Sequence, residues 1–275
     1  MPIVFREVTL YQPRYPIVDA HSHGFEHEKH FVEMANRYVS PRETLPLFGD
    51  ASVQAANDTM VRVGIYLRIL KNLAAKPTSV PAANDFALRV DLQYPNLAPT
   101  GTIYLDYEHN EAEVECLAEA GIRGIALDSC WQGFHVNDRR LADVYRKISA
   151  YRMFVLMHAG VDSNAPPRDV ETWPDQVLGA KDMLPDSIVI AAHLGANMNL
   201  KLAKNYRGVQ GILLDLAWLM ECCQGYGVYS VITWEEIAET IDVVGPGMVI
   251  YSSDYPWGDP GAQIRFWEEH LPDEA

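Results

Sequence analysis

His21 and His23 stand one residue apart at the end of a short apolar run, Ile17-Val-Asp-Ala-His21-Ser-His23-Gly24. In an extended strand side chains alternate between faces, so Asp19, His21 and His23 share one. Two imidazoles on one face of a rigid strand tip can hold a single metal ion, and Gly24 lets the chain turn away. An isolated His-x-His is as readily a pair of buried, hydrogen-bonded histidines. Three later apolar runs, however, also end in ligand-type residues: Met157-His158-Ala-Gly160, Ala192-His193-Leu-Gly195 and Ser252-Ser-Asp254-Tyr-Pro256. Three imidazoles and a carboxylate suit zinc, or another divalent first-row ion such as manganese. An ion with an open position acidifies bound water and polarises a substrate oxygen, and a carboxylate or histidine beside it can take or pass the proton.

Residues so far apart in sequence can meet only if the elements before them are laid side by side. The expected strands are residues 17–23, 63–70, 100–105, 124–127, 154–158, 187–193, 211–215 and 248–253. They are continuous apolar runs, such as Met-Phe-Val-Leu-Met and Ile-Val-Ile-Ala-Ala, which suits parallel strands covered on both faces. Between them fall helical patterns at 51–62, 81–92, 110–120, 138–150, 173–183, 200–206, 233–243 and 260–270. Asn110 with Glu113, and Thr233 with Glu236, have capping-box spacing. Gly121 is placed to stop the helix before it. Leu141, Val144, Tyr145 and Ile148 fall on one helical face. Eight strand–helix units predict an α/β fold of the (β/α)8 TIM-barrel type, with residues 1–275 as one domain. In such a barrel all carboxyl ends of the strands share one face, so residues 21, 158, 193 and 254 converge there. A doubly wound open sheet is the alternative. No G-x-G-x-x-G follows a strand, and no phosphate loop is present.

The 275 residues carry a net charge of −15 and are 48% hydrophobic. That is ample for a large core, and it argues against nucleic acid or an anionic membrane as partner. The four cysteines, Cys116, Cys130, Cys222 and Cys223, show no zinc-finger spacing, which favours a reducing compartment. No signal-peptide pattern opens the sequence and no apolar run is long enough to span a bilayer. The expectation is a soluble, cytoplasmic protein.

Val18-Asp-Ala-His21-Ser-His23, Gly121-Ile-Arg-Gly-Ile-Ala126, Met157-His158-Ala-Gly160, Ala192-His193-Leu-Gly195 and Ser253-Asp254-Tyr-Pro256 recur in an order that resembles the amidohydrolase superfamily. The branch most similar is that of the amidohydrolase-related TIM-barrel hydrolases, which also contains non-oxidative decarboxylases. The resemblance implies that His21 and His23 are the paired metal ligands, His158 the ligand from the fifth strand, and Asp254 the carboxylate that binds metal and serves as general base. It implies that His193 acts on substrate or water beside a mononuclear centre, usually zinc, with manganese as the alternative. Relatives often have lysine where Ala126 stands, followed by His-Pro where this chain has Asp128-Ser129. Since that lysine bridges two metals in some members, Ala126 favours one ion.

Other residues have two readings each. His27 and His30 read as a solvated loop. His109 is a candidate for the barrel mouth. Asp19 either orients a ligand histidine or meets a backbone donor, and Asp215 is placed to support a ligand from behind. Trp131, Phe134, Trp218 and Trp257 could line a pocket or pack loops, and Arg68, Arg123, Arg139 and Arg140 are candidates for gripping a substrate carboxylate. Cys222-Cys223 reads as buried packing.

The leading expectation is a metal-dependent hydrolase that uses activated water on a lactone, ester or amide of a small carboxylated substrate, with His21, His23, His158 and Asp254 on the metal and Asp254 and His193 as catalytic groups. A decarboxylase on the same scaffold is the alternative, and a barrel that binds without turnover is the third reading. The expected partner is a small molecule, and a homodimer is one assembly that the resemblance allows.

Overall fold

In the computed structural model, residues 4–26, 46–162, 165, 170–224 and 232–271 are described. His27 and His30 lie outside them. The apolar runs form parallel strands: β1 (Val4–Arg6), β2 (Ile17–Ser22), β3 (Pro46–Phe48), β4 (Ile65–Leu70), β5 (Leu97–Pro99), β6 (Gly101–Thr102), β7 (Gly124–Leu127), β8 (Phe154–Met157), β9 (Val189–Ala191), β10 (Ile212–Asp215) and β11 (Val249–Ile250). One sheet runs β6-β7-β8-β9-β10-β11 and another β2-β4-β5, while β1 and β3 form a separate pair.

The two larger sheets are halves of one ring. Only Thr100 separates β5 from β6, and its N–H donates to the Leu70 carbonyl at 2.9 Å. Residues 97–102 therefore act as one strand that carries the pairing from β4 to β7. At the other junction Ala20 N donates to Tyr251 O (3.0 Å), Asp254 N to His21 O (2.9 Å) and His23 N to Tyr255 O (2.6 Å). Counting 97–102 once, eight strands close as the expected (β/α)8 barrel. Ile125, Leu127, Val155, Met157 and Val189 belong to the same buried cluster as Leu117, Tyr145, Ile148 and Val177 of the outer helices. Sheet and helices thus share one core, with about 1.5–3 kcal/mol gained per fully buried large apolar side chain.

Several boundaries differ from the sequence expectation, two of them for clear local reasons. The third strand ends earlier than residue 105, because the Asn110 side chain bonds both Tyr104 N and Tyr104 O (3.1 and 2.7 Å) and folds 104–110 into a closed turn. Asn110 therefore does not cap the helix Asn110–Ala120, and the Glu113 carboxylate accepts from Asn84 Nδ2 at 2.8 Å instead. The last strand pairs only at Val249–Ile250, since the segment after it crosses to β2. Thr233 and Glu236 do form both bonds of their capping box. Gly121 adopts the left-handed conformation (φ 102°) that ends its helix.

Buried charge holds the junction between first and last strands. Asp19 is fully buried and accepts from Arg68 Nε (3.0 Å), Ser253 N (2.9 Å) and Ser253 Oγ (2.6 Å). Of its two readings, Asp19 thus takes the one that meets a backbone donor. Behind the 253–259 segment, buried Glu221 accepts Gln263 Nε2 on both oxygens (2.8 and 2.9 Å) and Asp259 N (3.1 Å). Burial pushes the Glu221 carboxyl up to about 8, with the Gln263 amide pulling the other way. A folded pKa above the unfolded one means that the native state holds the extra proton. Stability from this group is full below the unfolded value of about 4.3 and is lost as pH rises toward and through 8. The thermal midpoint of wild type, measured from pH 5 to 9 beside Glu221→Gln, is expected to fall relative to the variant as pH rises. Parallel curves would rule out this titration.

Candidate functional site

His21, on β2, is buried, and its Nδ1 lies 3.1 Å from Asp215 Oδ2 at the end of β10. A carboxylate only accepts, so His21 carries its proton on Nδ1 and turns an Nε2 lone pair the other way. Asp215 is itself fixed, with Oδ1 accepting His193 N (2.8 Å) and Ala217 N (3.0 Å). The Nε2 atoms of His21 and His23 approach Asp254 Oδ1 at 3.6 and 3.3 Å. One ligand atom from each of the three residues lies within 4.8 Å of the others. The backbone bonds between β2 and the 251–255 segment create this convergence. Asp254 sits at φ 54°, a left-handed conformation uncommon for a residue with a Cβ.

His193 donates Nδ1–H to the Ala217 carbonyl at 2.8 Å, which leaves its Nε2 as an acceptor. That Nε2 is 3.2 Å from His158 Nδ1. In neutral rings the proton between them therefore belongs to His158, and His158 Nε2 carries a lone pair. Two carbonyl-type acceptors, Asp215 and Ala217, thus decide the tautomers of three histidines. Burial lowers the pKa of His21, His158 and His193 and keeps the rings neutral. His21 Nε2 and His158 Nε2 are both buried without a hydrogen-bond partner among the described residues. Leaving such atoms bare is costly. Two partnerless imidazole lone pairs, His23 and an ionised carboxylate are a donor set that fits a divalent first-row ion. Burial alone would raise the Asp254 carboxyl, but His21, His23 and His193 around it outweigh burial and hold it well below the usual carboxylate range.

The five sequence-predicted residues divide between neighbouring groups. His21, His23 and Asp254 form one, and His158 falls in a second with Asp128 and Asp162. His193 touches His158, and its ring centroid is 5.6 Å from that of His21. Gly160 explains how the segment after His158 fits: at φ 94° it lets the chain pass so close to Asn197 that a Cβ would lie 2.2 Å from the Asn197 nitrogen.

All five residues line a cavity of about 390 Å³. Trp131, Trp218 and Trp257 also line it, whereas Phe134 does not and packs in the core against Tyr104. The arginine expectation fails: Arg68 is buried on Asp19, Arg140 pairs with Asp106 and Asp138, and neither Arg123 nor Arg139 reaches the wall. His109 is exposed beside Glu108, away from the mouth. The cation in the described lining is Lys71, unforeseen, with Nζ 2.9 Å from Asp128 Oδ2. Lys71 and Asp128 directly follow β4 and β7, so the strand-end pattern that marked the histidines also marked them. Asp162 and Asn197, deeper in loops, had no such signal.

No sequence among curated proteins matches this chain significantly. Solved structures do, at the level of fold. The 5-carboxyvanillate decarboxylase LigW from Sphingomonas paucimobilis superposes with a TM-score of 0.65 at 12% identity over 94% of each chain. A Pseudomonas putida protein described as a 2-pyrone-4,6-dicarboxylic acid hydrolase superposes with a TM-score of 0.58 at 15% identity, over 93% of this chain and 89% of that one. The 5-carboxyvanillate decarboxylase LigW2 from Novosphingobium aromaticivorans, solved with manganese and 3-methoxy-4-hydroxy-5-nitrobenzoic acid, gives 0.60 at 14% identity over 95% and 92%. The sequence matches the amidohydrolase family (Amidohydro_2) over residues 18–274, so the chain belongs to that family, whose members are metal-dependent hydrolases and decarboxylases.

Proposed function

We propose that the protein is a hydrolase for a lactone, ester or amide of a small carboxylated substrate, with one zinc or manganese ion held by His21, His23, His158 and Asp254. The observation that carries this is the convergence of the His21 and His23 Nε2 atoms on Asp254, with a further bare Nε2 on His158. Bound there, the ion would supply Lewis acidity to a substrate carbonyl and to nearby water. Asp254 stays ionised through the neutral range and is the acceptor for a proton from the attacking water. His193, with Nδ1 committed to the Ala217 carbonyl and Nε2 accepting from His158 Nδ1, exchanges a proton with the substrate at Nε2 once the bond to His158 opens. Asp215 holds His21 in the tautomer that presents Nε2. The thiols of Cys116, Cys130, Cys222 and Cys223 are all unbridged, which supports a reducing, cytoplasmic setting.

Phe86, Trp131, Trp218 and Trp257 favour a second reading, decarboxylation. Apolar walls strip water from a carboxylate and so favour its loss as neutral carbon dioxide. The manganese-bound decarboxylase of similar fold supports manganese as the alternative ion in that case. The test is product analysis: zinc- and manganese-loaded protein is offered carboxylated lactones, aryl esters, amides and hydroxybenzoates. Gain of one water by the substrate is the expected result. Loss of carbon dioxide would replace hydrolysis by the second reading, and no turnover of any compound would sink both.

A further inference from the structure

Lys71 is a buried ammonium in the cavity wall that the proposed metal chemistry does not use. It is 5% exposed. Its Nζ donates to Asp128 Oδ2 at 2.9 Å, its one hydrogen-bond partner among the described residues. Asp128 cannot follow the ammonium elsewhere. Its Oδ1 caps the helix Ser129–Gln132 by accepting Trp131 N at 3.3 Å, and its own N–H donates to Gln132 Oε1 at 2.9 Å. The lysine head is thus aimed from behind, with N–H groups left for an acceptor inside the cavity. Burial works against the Lys71 charge, but Asp128, with smaller contributions from Asp254 and Asp162, outweighs it and keeps the ammonium charged. Leu73, Ala74 and Phe86 of the same wall are apolar, and Asp254 and Asp162 are the further acids that act on this ammonium. A buried ammonium with N–H groups to spare still gains from a charged acceptor placed directly against it.

We infer that Lys71 is the anchor for a carboxylate on the ligand, so that the cavity selects small molecules with one acidic group on a flat apolar body. The inference rests on the proposed site as the place where substrate binds, and it names the group that chooses the substrate. Recognition by one preset ammonium, with Phe86 and the tryptophans around the apolar body, discriminates an acid from its neutral isostere.

The test is calorimetric titration of zinc-loaded protein with benzoate and with benzamide. Wild type is expected to bind benzoate about 10- to 100-fold more tightly than benzamide, as a charge-assisted hydrogen bond in a desolvated site allows. Lys71→Met should erase that preference while leaving benzamide within about twofold. Because the single variant strands the buried Asp128 charge, Lys71→Met/Asp128→Asn is measured beside it and should show the same loss of preference. Lys71→Arg should restore part of it. Equal binding of both probes by wild type, no binding of either, or a preference that survives both methionine variants would overturn the anchor. The catalytic proposal fails separately: Lys71-dependent binding with no turnover leaves the anchor standing. Turnover of neutral esters without acid selectivity does the reverse.

Discussion

Replacement of both His21 and His23 by alanine is expected to strip the protein of its metal and to cut turnover about 10³-fold or more, the worth of several kcal/mol of lost charge stabilisation. Both rings present Nε2 to the same Asp254 oxygen, so neither can be replaced by movement of the other. The effect should be local. His21 sits over Asp215, which keeps two backbone donors, His193 N and Ala217 N, when the imidazole is gone. Elemental analysis of wild type and variant checks the first part, with about one ion per chain expected in wild type only. Circular dichroism checks that the barrel survives. A variant that keeps its ion would place the metal at Asp128, His158 and Asp162, and the proposed assignment would be wrong.

The second large effect is on stability. Asp19→Ala should destabilise the fold by about 3–5 kcal/mol, because it leaves the buried Arg68 guanidinium without its carboxylate. Little else can take that charge: Nη1 is bound to Ala56 O at 2.7 Å, and the group lies 4.9 Å from the centre of the Tyr255 ring. The same substitution frees Ser253 N and Oγ at the closing junction of the barrel. For a chain of this size the thermal midpoint should drop by about 10 °C. Asp19→Ala/Arg68→Met, which removes both charges, should recover part of the loss. Thermal melts of the three proteins decide the matter. A midpoint unchanged in the single variant would show that the junction holds without its ion pair.

The barrel was readable because its strands are continuous apolar runs and its helices have a 3.6-residue period. His21, His23, His158, His193 and Asp254 were readable because each stands where such a run stops. Distances through space were not written in those patterns. The Arg68 guanidinium looks on paper like an anion binder, but its partner Asp19 is 49 positions away and is met only when β2 and β4 pair. Lys71, three residues on, looks no more remarkable in sequence, yet it alone of the two reaches the cavity. His158 shows the same limit. Its position at a strand end was legible, but its contact with His193 and its place beside Asp128 and Asp162 depend on loops whose course no periodicity encodes. Asn110 failed as a cap because a competing partner, Tyr104, lay within its own turn.

Trp131, Trp218 and Trp257, three of the six tryptophans in the chain, stand around the one cavity where chemistry is proposed. The protein therefore carries its own optical probe. Indole emission shifts with the polarity around the ring, so half of the indoles should change colour or intensity when a ligand displaces water between them. A paramagnetic ion such as manganese should quench that light at close range, whereas zinc, with its filled shell, should not. Occupancy of the cavity and the identity of its ion could then be followed in unlabelled protein, in real time and before any substrate is known.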